Sequence, residues 1–124
     1  MKTILIIDDE EYFAKTIREV LDSKKYKIIT ASDGEEGLNT AARTQPDAIL
    51  LDINMPKMNG LDFLRALKNN KIPIIITSNL SSMQTISEGV ELGVRGYIVK
   101  SNESTEAIAE AIVGLFVVAP PKKV

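Results

Sequence analysis

The chain has 124 residues, 44% of them hydrophobic, and a formal net charge of −2. That is the length of one ordinary domain with a real core, and with no strong basic charge and no apolar run of roughly 18 residues it reads as neither a nucleic-acid binder nor a membrane span. With no cysteine and no histidine, it builds no disulfide or thiolate metal site, lacks the commonest general base, and cannot carry a phosphohistidine.

The missing cysteine fits a reducing compartment, and the expected location is the cytoplasm. Met1-Lys2-Thr3 followed by four apolar residues is too short for a secretory signal. Residues 3–7 are read instead as a first strand, apolar without alternation, as in a strand covered on both faces. Asp8 to Glu11 form an acidic loop. Over residues 12–22, Phe13, Ile17, Val20 and Leu21 recur at helical spacing. Residues 26–30 read as a second strand. Ser32-Asp33-Gly34 is a turn, and residues 35–44 read as a helix with Leu38, Ala41 and Ala42 inward. Pro46 breaks that helix before a third strand over 47–51.

Residues 54–60 are rich in turn formers. Residues 61–70 read as a third helix with Leu61, Leu64 and Leu67 inward. Pro73 opens a fourth strand over 74–77, where a missing N–H is tolerated. Residues 82–92 form a weak helix. Met83, Ile86 and Val90 give it an apolar edge, but Gly89 costs about 1 kcal/mol relative to alanine. Gly93 and Gly96 bracket a turn before a fifth strand over 97–99. Ser101 or Asn102 caps a final helix, with Glu103 and Glu106 near its positive end. Its expected buried stripe is Ala107, Ile108, Ala111, Ile112, Leu115 and Phe116. Residues 1–119 make one domain, and 120–124 a polar tail or linker stub.

Strand and helix alternate five times. Right-handed crossovers then give an α/β doubly wound parallel sheet with helices on both faces. Such sheets bind ligands beyond the carboxyl ends of their strands. Those ends carry Asp8, Asp9, Asp52, Thr77 and Lys100. Three carboxylates together repel each other and favour a hard divalent cation. A lysine there can pair with a carboxylate and then with a phosphate. A threonine hydroxyl can hydrogen-bond a phosphoryl oxygen, and an aspartate can be the nucleophile that forms an aspartyl phosphate.

Four segments, in this order and spacing, resemble the receiver domains of two-component response regulators. They are Ile-Ile-Asp-Asp-Glu at 6–10, Leu-Leu-Asp-Ile-Asn-Met-Pro at 50–56 with Gly60, Ile-Ile-Ile-Thr-Ser at 74–78, and Gly-Tyr-Ile-Val-Lys at 96–100. The resemblance implies a flavodoxin-like (βα)5 fold with a five-stranded sheet of order 2-1-3-4-5. It implies that Asp52 accepts phosphate from a histidine kinase or a histidine phosphotransfer protein. It makes Asp9 a direct Mg²⁺ (or Mn²⁺) ligand, with Asp8 acting through water and Asp52 and the carbonyl of Asn54 completing the set. Thr77 and Tyr97 match the switch pair, and Lys100 the phosphate-binding lysine. The surface of the fourth helix, fifth strand and fifth helix would then be read by a downstream protein or effector domain, or by a second copy in a phosphorylation-dependent homodimer. No enzyme activity is implied beyond the domain's own phosphorylation and dephosphorylation.

One position departs from the pattern. The family usually has proline after the lysine, commonly with a cis peptide bond, and here Ser101 follows Lys100. Asn54 and Asn79 occupy the two positions that tune phosphate lifetime in the family. The last helix carries no Arg or Lys between Glu103 and Ala119. It thus lacks the basic residues of the dimer face used by one large DNA-binding subfamily.

Each residue also has an ordinary reading. Asp8 to Glu11 alone would be a solvated helix start, and Asp52 a turn residue. Lys100 alone would be a surface charge, Thr77 a good strand former, and Tyr97 a half-buried aromatic with its hydroxyl in water. Three rival functions follow from the same residues. An aspartate-nucleophile phosphatase would need a second aspartate where Asn54 stands, because an amide shuttles no proton. A flavin or nucleotide binder would need a phosphate cradle where Asp8 to Glu11 stand. A receiver-like docking domain would have no need of Asp52, Thr77 and Lys100.

Overall fold

Apolar runs ending in acids or hydroxyls become parallel strands whose polar ends meet at one sheet edge. The structure, a computed structural model, describes residues 1–55, 58–67, 71–79 and 83–116. The strands are β1 (Lys2–Ile7), β2 (Tyr26–Ala31), β3 (Ala48–Asp52), β4 (Ile74–Ser78) and β5 (Gly96–Val99). The helices between and after them are α1 (Glu11–Val20), α2 (Gly34–Thr44), α3 (Gly60–Ala66), α4 (Met83–Glu91) and α5 (Thr105–Gly114). The sheet is parallel throughout, in the expected order β2-β1-β3-β4-β5.

Side-chain alternation splits the core in two. Ile4, Ile6, Leu50, Ile75 and Ile98 face α1 and α5, where they meet Ala14, Ile17, Ile108, Ala109 and Ile112. Leu5, Ile7, Ile49, Leu51, Ile74 and Ile76 face the other way, towards Ala41 of α2 and Phe63 of α3. Both faces are covered along β3, β4 and β1 from Ile4, which is why those strands show no polar alternation, whereas Lys27 and Thr30 of the edge strand β2 are exposed. The register pairs Asp52 of β3 with Thr77 of β4, so β3 and β4 deliver those two side chains side by side.

Several helix details differ from the sequence reading. α3 stops at Ala66, because Leu67 takes extended angles (φ −70°, ψ 117°); residues 68–70 lie outside the described residues. Leu61, Leu64 and Leu67 do line the second core cluster, but the fully buried anchor is Phe63. On α2, Ala41 is buried and Ala42 exposed, and on α1, Val20 is exposed. Lys100–Asn102 form a short 3₁₀ turn, so neither Ser101 nor Asn102 caps α5. The cap is Ser104, whose hydroxyl accepts from the Ala107 amide at 3.1 Å. The residues of α5 that are buried are Ile108, Ala109 and Ile112.

On α4, Val90 is 62% exposed and the buried residue is Gly89. A Cβ at Gly89 would lie 2.8 Å from Ile76 Cδ1. The glycine that weakens the helix is therefore the one that lets it lie close against β4. Residue 82, the Met83 side chain and residues 117–124 fall outside the described part. No cis peptide bond occurs among the described residues, so Lys100–Ser101 is trans.

Candidate functional site

β1 ends at Ile7 and hands Asp8 to the sheet edge, while Asp52 is the last residue of β3. Both are buried, as is Thr77 on β4. Lys100 follows the last residue of β5, and its side chain is 8% exposed. Its ammonium donates to Asp8 Oδ2 at 2.6 Å and lies 3.6 Å from Asp52 Oδ2 and 3.9 Å from Glu10 Oε1. The same nitrogen sits over the Phe13 ring, 4.5 Å from its centroid.

Backbone and loop groups hold the two acids. Asp8 Oδ1 accepts from the Glu10 amide at 2.8 Å, and Asp52 Oδ1 from the Asn54 amide at 3.0 Å. The Ser78 hydroxyl donates to Asn54 Oδ1 at 3.0 Å, tying the loop after β3 to the end of β4. Gly60 brings α3 close behind. A Cβ there would be 2.9 Å from the Asp52 carbonyl oxygen and the Ile53 Cα.

Burial sets the electrostatics. It pushes the Asp52 carboxyl up to about 6, with Asp8 and Asp9 adding to the rise and the Asn54 amide and Lys100 opposing it. Burial also raises Asp8, against the pull of its hydrogen bond from Lys100. Burial alone would lower Lys100, yet the hydrogen bond to Asp8 and the charges of Asp8, Asp52 and Glu10 raise it overall. Net negative charge is thus crowded at a place that water reaches poorly, and one lysine does not neutralise it.

Oxygen donors of Asp8, Asp9 and Glu10 lie within 4.8 Å of one another. All are carboxylates, the donor type that suits Mg²⁺ or Mn²⁺, and the raised carboxyl of Asp52 beside them would be relieved by a cation. The residues fit such an ion. Asp52 is not in that tight group of three, and Glu10 is.

The predicted residues Asp8, Asp52 and Lys100 are brought into mutual reach. Asp9 is exposed at the rim, and Asn54 is exposed with its amide on Asp52. Thr77 Oγ1 and Tyr97 Oη are both buried without a hydrogen-bond partner. The Tyr97 hydroxyl is therefore not in water, and its ring packs with the second core cluster. Sequence reasoning missed three contributors. Glu10 was visible as part of the acidic run, and Ser78 as a hydroxyl next to Thr77. Phe13 looked like an ordinary member of the α1 stripe, and nothing in its spacing signalled the contact with Lys100.

Comparison with known proteins is consistent along the chain. Residues 4–112 match the model of the response regulator receiver domain. The probable transcriptional regulator ycf27 of Guillardia theta is 38% identical over 112 residues, covering 88% of this chain and 44% of that protein. The chain spans about half the length of the transcriptional regulators that it matches. Among solved structures, the chemotaxis protein CheY4 of Vibrio cholerae superimposes with a TM-score of 0.84 at 28% identity, covering 94% of this chain and 99% of that one. The CheX-CheY-BeF3-Mg²⁺ complex of Borrelia burgdorferi gives 0.83 at 28% identity, with 94% and 90% covered. With this sheet order, this acidic strand edge and a family match over most of its length, the chain belongs to the response regulator receiver domains of two-component signalling.

Proposed function

We propose that Asp52 is the phosphoacceptor of this receiver domain and that a protein phosphohistidine is its donor. The observation that carries the reading is one buried carboxylate at a strand end, with an ammonium 3.6 Å away and two further acids raising its affinity for positive charge. The 124 residues hold no histidine, so the phosphohistidine lies outside them, on a histidine kinase or a histidine phosphotransfer protein.

In the transfer, an Asp52 carboxylate oxygen bonds to phosphorus as the P–N bond to the donor imidazole breaks. The electron pair of that bond returns to the imidazole nitrogen. A donor ring protonated on its other nitrogen then leaves as neutral imidazole. Lys100 sets positive charge against the phosphoryl oxygens, where it is worth most in a poorly solvated site. Asp9, Asp8, Asp52 and the Asn54 carbonyl would hold Mg²⁺ or Mn²⁺, which when bound supplies further charge neutralisation to the phosphoryl group. The magnesium in the similar CheX-CheY-BeF3-Mg²⁺ complex from Borrelia burgdorferi supports the choice of ion.

Thr77 and Tyr97 are the proposed switch. An unpartnered buried hydroxyl costs about 1–3 kcal/mol, and a phosphoryl oxygen on the neighbouring Asp52 would give Thr77 a partner. Drawing Thr77 towards Asp52 then alters the packing of Tyr97 and with it the face of α4, β5 and α5. The exposed Val90 on α4 is a natural contact on that face. A downstream protein, an effector domain or a second copy would read it. A ligand shifts such an equilibrium only by its differential affinity for the two states, and the Thr77 contact supplies that difference.

The domain catalyses at most its own phosphorylation and dephosphorylation, since Asn54 offers no acid or base two residues after Asp52. Residues 1–119 are taken as the domain and 120–124 as tail or linker. No described helix is long and apolar enough to cross a membrane, and a cytoplasmic location belongs to the same proposal. Borohydride reduction of the acyl phosphate, followed by peptide mapping, tests the assignment. The trapped product should map to Asp52, and a product at Asp8 or Asp9 would overturn it.

A further inference from the structure

We infer that Phe13 is a positioning residue for Lys100, its ring face fixing where the ammonium stands between Asp8 and Asp52. The inference rests on the phosphoacceptor reading of Asp52. A lysine ends in a strongly hydrated point charge on a flexible four-carbon stem, so its aim is set by its surroundings. Here those surroundings are three carboxylates at 2.6, 3.6 and 3.9 Å and one aromatic face at 4.5 Å. The carboxylates pull in different directions, and Asp8, the nearest, draws the ammonium away from Asp52. The ring is the one partner of the four that carries no charge and that no cation can take. It attracts the ammonium through its quadrupole, more strongly in a desolvated site than an exposed one, and it closes that side sterically.

The placement of Phe13 does not depend on Lys100. Its amide donates to the Glu10 carbonyl at 3.1 Å, and its own carbonyl accepts from the Thr16 hydroxyl at 2.8 Å. Its ring packs against the core cluster shared by α1 and α5. Glu10, by contrast, is an exposed side chain. When a cation engages the acids, their hold on Lys100 weakens, and the ring still limits its excursions. Preorganisation of this kind acts on the transfer step, because the charge is already in place when the phosphoryl group arrives.

Two substitutions separate the ring face from simple packing. Phe13→Leu keeps an apolar side chain in α1 but removes the ring, whereas Phe13→Tyr keeps the ring. Each variant of the 124-residue chain is incubated with Mg²⁺ and acetyl phosphate, and the initial rate of Asp52 phosphorylation is followed by intact mass. Phe13→Leu should be slower by roughly fivefold, the size expected from losing one cation–π contact, and Phe13→Tyr should match wild type. In parallel, the Lys100 ε-methylene protons should show an upfield ring-current shift in wild type and Phe13→Tyr that Phe13→Leu abolishes. Equal rates for Phe13→Leu and wild type would overturn the inference, as would a loss shared by Phe13→Tyr or an unshifted Lys100 signal in wild type. If wild type itself takes no phosphate at Asp52, the phosphoacceptor reading falls and this inference with it. A phosphorylated wild type with an indifferent Phe13→Leu would sink the inference alone.

Discussion

Lys100 hydrogen-bonds Asp8, 2.6 Å from its Oδ2, and stands 3.6 Å from Asp52. In this state the lysine neutralises the acid that would help to hold a metal and leaves the proposed nucleophile partly unpaired. A divalent cation on Asp8 and Asp9 would release the ammonium towards an incoming phosphoryl group. Metal and lysine would thus be coupled through Asp8.

That pairing makes Lys100 a structural residue as well. Removing one partner of a buried pair leaves the other charge uncompensated, typically a loss of 3–5 kcal/mol. Lys100→Ala should therefore destabilise the metal-free protein by about 3 kcal/mol at pH 8 in urea melts. Asp8 is already raised by burial, and without the lysine it rises further. The deficit should shrink as pH falls and Asp8 takes up a proton. A deficit independent of pH would mean that packing of the lysine stem, and not charge, is what was lost.

Asp52 gives the opposite sign. Its carboxyl titrates at about 6 in the fold against 3.8 as the ordinary value. The folded state therefore binds the proton more tightly than the unfolded chain. Stability falls as pH rises from about 4 to about 6, by on the order of 2–3 kcal/mol in total. Asp52→Asn should stabilise the chelator-treated protein by that amount at pH 7.5 and by nearly nothing at pH 4. Destabilisation at pH 7.5 would contradict the picture of a crowded, poorly solvated carboxylate.

Thr77 Oγ1 is buried without a partner, so its hydroxyl costs stability before any phosphate arrives. Thr77→Val should raise stability by about 1 kcal/mol. Beryllofluoride with Mg²⁺ should change hydrogen exchange in α4, residues 83–91, of the wild type and should no longer do so in Thr77→Val. An α4 response in the valine variant would remove Thr77 from the switch.

Glycines mark where helices press on the site. Gly60→Ala would drive a methyl group against the Asp52 carbonyl oxygen and the Ile53 Cα, backbone atoms that cannot turn aside. A loss of about 2 kcal/mol is expected from such overpacking, with slower phosphorylation. Gly114 ends α5 with nothing within 4 Å of its would-be Cβ. Gly114→Ala should therefore be neutral or stabilising by up to about 1 kcal/mol. Equal thermal shifts in the two variants would refute the contrast.

The sheet and its acidic edge were legible because short, isoleucine-rich apolar runs bounded by turn residues favour strands covered on both faces, and their next residues fall at one edge. Asp8, Asp52, Thr77 and Lys100 were found in this way. Details that depend on backbone angles were not legible. Ser101, Asn102 and Ser104 are all acceptable caps by composition, and only the 3₁₀ turn over Lys100–Asn102 selects Ser104. Contacts across the fold were equally hidden. The Phe13 ring beneath Lys100 lies far from it in sequence, and so does the β4 side chain that Gly89 accommodates. The inward Tyr97 hydroxyl also depends on packing with the second core cluster, which no local pattern reveals.

The central claim is that Asp52 is the acceptor and that a divalent cation enables it. Intact mass after incubation with acetyl phosphate, with and without Mg²⁺, measures this directly. Wild type should gain one phosphate with Mg²⁺ and essentially none with chelator, and Asp52→Asn should gain none in either case. Equal labelling of wild type and Asp52→Asn would contradict the account.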